Sequence, residues 1–243
     1  MRPRIVLAVL LLPLGCAGLG PRRGAPAQAE FPPPKNDAEL DARLNFLEER
    51  LDAGYLHAAA WYWGWLTIDG LSGISQIQDA DQAREAGDRS RDIVNAVKST
   101  VGVADILVIR PMPGRQGARP IRALPDGSHE EKLARLARGE EILRASADRV
   151  QANRSWGVHV GNFLFNLAGS AVLFGLGHSE AAGVTLATGA IGGEVQIWTE
   201  PWSGLRNLSD YQHLVESGHA STREPQPWHL APARDGLALE MHF

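Results

Sequence analysis

The sequence predicts an all-α protein: four long apolar helices paired as two antiparallel hairpins, with amphipathic helical extensions and a short C-terminal β-hairpin. Three observations carry this expectation. Leu40, Leu44, Leu47 and Leu51 recur at spacings of four, three and four, the period of an apolar stripe on a helix. Four segments, 57–77, 92–109, 156–177 and 181–199, are apolar on nearly every side. Within them Gly157xxxGly161, Ala171xxxGly175 and Gly189xxxGly193 are spacings of small residues that let helix backbones approach closely.

The chain opens with two arginines, Arg2 and Arg4, ahead of about ten apolar residues, the layout of a secretory signal. That run is too short for a helix across a hydrocarbon core of about 30 Å. Two processing sites compete. Ala27-Gln28-Ala29 before Glu30 has the small-x-small form, while Leu14-Gly15-Cys16 resembles a lipoprotein box with Cys16 as the lipidated residue and Pro13 where an aliphatic side chain is usual. Residues 1–29 are thus expected to be a signal peptide, 30–36 a Pro-rich spacer, 37–202 the helical bundle and 203–243 an irregular tail ending in a strand.

Asn36 or Asp37 is placed to cap the first helix. A polar stretch, 79–91, with four acids and three arginines, reads as a solvated connection between the first two apolar segments. Arg110-Pro111 and Pro113-Gly114 end the second, and residues 111–127 read as a loop. Ser128-His129-Glu130-Glu131 has the form of a capping box, opening a helix whose Leu133, Leu136, Leu143, Ala147 and Val150 share one side. Residues 156–177 carry no formal charge over 22 positions. A turn at His178-Ser179 leads to the last apolar segment, ended by Pro201. Asp235-Gly236 suits a hairpin turn, and Leu237, Leu239, Met241 and Phe243 alternate with other residues at the period of a strand.

Composition narrows the partners. Loss of residues 1–29 leaves 20 of the 24 Lys and Arg against all 28 acids, a balance of about −8, which argues against nucleic acid. A single cysteine forbids an intramolecular disulfide. Gly-x-Ser-x-Gly, phosphate-binding Gly-rich loops, His-Glu-x-x-His and Cys-x-x-Cys are all absent. No catalytic residue, metal site or cofactor is therefore assigned, and whether the chain is an enzyme is left open. Membrane lipids or envelope proteins are the expected partners.

The apolar segments fit either a membrane bundle or a very apolar soluble core. The uncharged run 156–177, the cluster Trp61, Tyr62, Trp63 and Trp65 and the small-residue spacings favour a membrane. Asp69, Lys98, Asp105 and Glu194 oppose it, since a charge near a helix centre costs about 2.5–3.5 kcal/mol on insertion scales. In a hairpin turning near residue 85, Asp69 falls level with residues between Lys98 and Asp105, a self-compensating charge triad. In a hairpin turning near residue 179, Glu194 falls level with Asn162 and Asn166, with His159 one turn beyond. Such a cluster is either a structural hydrogen-bond network or an ion- or proton-handling site. Its single copies of His and carboxylate lack the repeated Glu-x-x-His of a bundle metal site. His213, His219, His229 and His242 show no ligand spacing.

Trp61-Tyr62-Trp63-Gly64-Trp65 and the run from Gly189 through Gly193, Glu194 and Trp198 to Pro201 resemble a family of uncharacterised bacterial exported or membrane proteins. The resemblance covers about residues 40–205. It implies a similar helical fold and carries no known activity. Two functions are therefore carried forward: a noncatalytic envelope component that binds lipids or partner helices, and an ion- or proton-handling protein or unrecognised enzyme built on the Glu194 cluster.

Overall fold

The computed structural model describes residues 31–109, 111–218, 229–233 and 236–240. The expected signal peptide, residues 1–29, and Cys16 lie outside the described residues. The described chain is predominantly helical, in agreement with the all-α class.

Helix α1 runs without a break over Asp37–Gln82, 46 residues. The Asn36 side chain caps it by accepting the Glu39 backbone N–H at 2.9 Å, which satisfies one of the orphan donors of the first turn. The leucine stripe and the first apolar segment are therefore parts of one helix. Helix α2 covers Ala86–Ala104 and continues as a π-helical stretch, Asp105–Ile109. Only 83–85 separate α1 from α2, so the polar stretch 79–91, solvated as expected with only Ala80 buried, is mostly helix. The expected loop 111–127 also holds a 3-10 turn, Pro113–Gln116, and a single helical turn, Arg119–Arg122.

Helix α3, His129–Asn153, starts with the capping box that the sequence suggests, Ser128 and Glu131 each accepting the other's backbone N–H. Helix α4 is Trp156–Gly175 and α5 is Ser179–Trp198. Between them Gly177 takes φ 86°. Its N–H donates to Phe174 O and that of His178 to Leu173 O, the paired bonds of a Schellman turn. The glycine is needed because other residues are strained at that φ.

The expectation of an irregular tail from residue 203 is corrected by helix α6, Ser203–Ser217. Leu208, Tyr211 and Leu214, spaced by three, face the interior, and Gly218 at φ 72° closes the helix. Farther on, β1 (His229–Ala233) and β2 (Gly236–Glu240) are paired antiparallel, with Ala231 opposite Ala238.

Two regions of opposite character result. The first is a charged body formed by the N-terminal part of α1 with α3 and α6. Its core joins Leu40, Leu44, Leu47 and Leu51 to Leu136, Leu143, Leu208 and Tyr211. Gly139 allows α3 to approach α1, since a Cβ there would lie 2.9 Å from Leu47 Cδ1. The second region is apolar. There the C-terminal part of α1 packs along α2, α4 packs along α5, and α2 touches both α4 and α5. All twenty exposed large apolar side chains among the described residues fall between Leu56 and Ile109 or between Trp156 and Trp198. The charged body has none of them.

Candidate functional site

The Schellman turn at Gly177 sets the register of α4 against α5, and it brings the four polar residues of the second hairpin together. His159 Nδ1 lies 2.7 Å from Glu194 Oε2. Asn162 Nδ2 donates to Glu194 Oε1 at 2.9 Å and to Ala190 O at 3.0 Å. Asn166 Nδ2 donates to Asn162 Oδ1 and to Asn162 O, each at 2.9 Å. The ladder continues one turn farther, where Ser170 Oγ donates to Ala182 O at 2.7 Å. His159, Asn162, Asn166 and Ser170 form one polar stripe along α4, matching the helical period.

The glycines of α5 make room for this stripe. A Cβ on Gly193 would lie 2.0 Å from Asn162 Oδ1, and one on Gly189 2.0 Å from Asn166 Oδ1 and 2.3 Å from Lys98 Nζ. The Gly189xxxGly193 spacing therefore admits side-chain amides rather than bare backbone contact. Lys98 reaches the same place from α2, its Nζ 3.4 Å from the Thr185 carbonyl oxygen.

This placement corrects the expected charge triad. Asp69 does lie against α2, because a Cβ on Gly102 would meet its Oδ2 at 2.7 Å. No ion pair joins Asp69 to Lys98 among the described residues, since Lys98 turns away toward α5. The triad treats the hairpins as separate, whereas α2 packs on α4 and α5 as well as on α1. Nor do the described residues hold three His, Cys, Asp or Glu side chains grouped for a metal ion.

Glu194 is not sealed from the surroundings. An open groove of about 480 Å³ runs between α4 and α5, lined by Asn162, Phe163, Ala190, Ile191, Glu194, Val195, Trp198 and Thr199. Beyond Leu173, Val94 and Ala182 close the interior with an apolar plug. The polar ladder is thus open near Trp198 and blind toward the 83–85 and 176–178 turns. It can fix the register of two helices, or offer a carboxylate to a polar group entering the groove.

Where the two regions meet, tryptophan collects at one level. Trp61 Nε1 donates to Gln196 O at 3.1 Å and Trp65 Nε1 to Thr199 Oγ1 at 3.2 Å. Trp198 packs between His159 and Trp202 in tilted ring contacts, and Trp156 opens α4. Six of the seven tryptophans, Trp61, Trp63, Trp65, Trp156, Trp198 and Trp202, belong to this belt. Only the cluster at 61–65 is evident in the sequence, because the other three are distant along the chain.

Two buried ionic groups in the charged body also escape the sequence. Glu200 is 4% exposed and accepts hydrogen bonds from Arg149 Nε and Asn153 Nδ2, joining the ends of α3 and α5. Arg43, 1% exposed, donates to Pro32 O at 2.8 Å and pairs with Glu39 and Glu140. Tyr211 Oη donates to Glu140 Oε1 at 2.6 Å. Burial pushes the Glu140 carboxyl above the usual carboxylate range, against the opposing pull of Tyr211, Arg144 and Arg43. Burial also raises the Tyr211 phenol, and its bond to Glu140 adds to the shift. The Arg43–Glu39 pair has the local i,i+4 spacing of a helix, whereas Glu140 on Arg43 and Glu200, 51 residues from Arg149, come from distant segments that no local spacing marks.

Compared with family models, curated proteins and solved structures, the chain matches none. The resemblance seen in residues 61–65 and 189–201 rests on those residues alone.

Proposed function

We propose that the chain is a noncatalytic cell-envelope component whose four apolar helical segments lie in a membrane, with the charged body held at one face. The observation that carries this reading is an inversion of sidedness. Trp63, Ile77, Val108, Phe174 and Ile191 are each at least 60% exposed, while Asn162, Asn166, Ser170 and Thr185 point between helices. In water an amphipathic helix does the opposite, and an exposed apolar surface this extensive marks an interaction or membrane surface.

Length agrees with this reading. One helix among the described residues, Trp156–Gly175, is long and apolar enough to cross a membrane, and only 22% of its apolar window is buried, unlike the core helix of a soluble protein. Its 20 residues extend about 30 Å, near the thickness of a hydrocarbon core. The other three segments are less apolar in sequence and carry charges, Asp69 in the first, Asp92, Lys98 and Asp105 in the second and Glu194 in the last. The tryptophan belt suits one interface. Arg84, at the tight turn between α1 and α2, and Asp88 and Arg91, in the first turns of α2, suit the other. The arrangement as two apolar hairpins in one bundle, and β1 with β2 as a closing hairpin, belong to the same reading.

Export through residues 1–29, with or without lipidation of Cys16, places the body on the outer side of that membrane. Fractionation of a Cys16→Ala variant tests the whole proposal. Retention in the membrane pellet after alkaline and high-salt washing is expected, and recovery in the soluble fraction without detergent contradicts it.

The groove at Glu194 favours a second reading, a site that binds an ion or moves a proton. Glu194→Gln keeps the shape and most hydrogen bonds while removing the charge. Normal abundance with lost cellular function supports that site. Normal abundance with unchanged function confines Glu194 to the network that joins α4 to α5.

A further inference from the structure

The arginines of the charged body divide into two sets. Arg43, Arg50, Arg122, Arg135, Arg138, Arg144 and Arg149 each pair with a carboxylate. Arg115, Arg154 and Arg206 pair with no described carboxylate, although the body is rich in acids, and Arg119 acts on Asp52 only through its charge. Two of these lie at the tryptophan belt with their guanidinium carbons over aromatic rings. Arg115 is 4.6 Å from the centroid of Tyr62, and Arg154 is 3.7 Å from that of Trp202. Arg119 is stacked on Tyr55, about two turns of α1 farther from the belt, and Arg206 is exposed on the first turn of α6.

We propose that Arg115 and Arg154 bind the phosphates of anionic phospholipids around the neck between body and bundle, an inference that rests on the membrane reading above. Three facts converge on that ligand. The contacts with Tyr62 and Trp202 place each guanidinium beside the belt, and a planar guanidinium fork matches two phosphate oxygens. The neighbouring exposed Trp63, Trp156 and Trp198 are side chains that settle at headgroup depth. Glu200, a carboxylate at this level, is already bonded to Arg149 and Asn153, and neither Arg115 nor Arg154 pairs with a described carboxylate. A lipid phosphate is the anion present at that depth in quantity. A cationic rim on a protein of net negative charge also fixes how deeply the body sits, since the acids of the body are held off the headgroups.

The test uses the full chain in vesicles of phosphatidylcholine alone or of phosphatidylcholine with phosphatidylglycerol. Thermal unfolding and native mass spectrometry of retained lipid are the two readouts. The wild type is expected to unfold at higher temperature with phosphatidylglycerol and to retain it selectively. The R115Q/R154Q variant is expected to lose that preference, by roughly five-fold for each arginine removed, while R138Q keeps it. R115K/R154K, which restores charge without the fork, is expected to recover part of the preference, and its failure to do so overturns a phosphate contact. The proposal also fails if R115Q/R154Q prefers phosphatidylglycerol as the wild type does, or if inorganic phosphate stabilises the detergent-solubilised protein to the same degree. A wild type that enters neither vesicle refutes the membrane reading instead, and this outcome is distinct from insertion without lipid preference.

Discussion

At Gly193 the missing Cβ decides whether Asn162 can hold Glu194. An added methyl at 2.0 Å from Asn162 Oδ1 displaces the amide and leaves part of the network without partners. Gly193→Ala is expected to cost about 1–3 kcal/mol, the range for overpacking together with a lost buried hydrogen bond. Gly192→Ala, with nothing within 4 Å of its Cβ, serves as the control. Thermal unfolding in detergent measures both, and equal midpoints would show that the amide contacts are not tight. Glu140 gives a pH signature. Its carboxyl is raised by burial, so the folded state keeps that proton to a higher pH than the unfolded chain does. Between the two values the native state binds more protons, and stability falls as pH rises. Glu140→Gln is expected to flatten the stability profile just above the ordinary glutamate range, and an unchanged slope there would assign it to other groups.

Helix α6 closes the charged body by laying Leu208, Tyr211 and Leu214 on α1 and α3. Leu208→Ala is expected to cost about 2–5 kcal/mol, as for other buried leucines. Denaturant unfolding with a probe on the body checks this, and a change below about 0.5 kcal/mol, the size of a surface substitution, would show that α6 is only loosely docked. Its stripe is legible in retrospect, between the stop at Pro201 and the cap at Gly218. The polar residues around it, with His213 and the acids, are what give the region a loop-like look. The start of α1 at Asn36 and that of α3 at Ser128 are legible because caps and periodicity are local. The Glu194 cluster is legible for a related reason, since a tight turn makes residues equidistant from it level with each other. Lys98 breaks the same argument because its partner lies in the other hairpin. Arg149 with Glu200, and Arg154 with Trp202, depend on how α3 and α5 end against each other, which no local pattern encodes.

Across the whole molecule, two chemistries divide along α1. Its first turns carry ion-paired side chains over a leucine core, and its last turns carry isoleucines and leucines facing outward, with Asp69 against α2. The membrane reading accounts for both with a single boundary at the tryptophan belt. Cys16→Ala provides a cysteine-free background, so spin labels can be placed one at a time at Ile77, Val108, Phe174 and Ile191, with Glu141 as a site on the body. Collision rates with oxygen and with a water-soluble nickel chelate, measured by electron paramagnetic resonance in vesicles, read membrane depth directly. The account predicts that labels at Val108, Phe174 and Ile191 meet oxygen and are shielded from the chelate, with Ile77 near the far interface and Glu141 open to the chelate. Chelate access at Val108, Phe174 and Ile191 equal to that at Glu141 would contradict it.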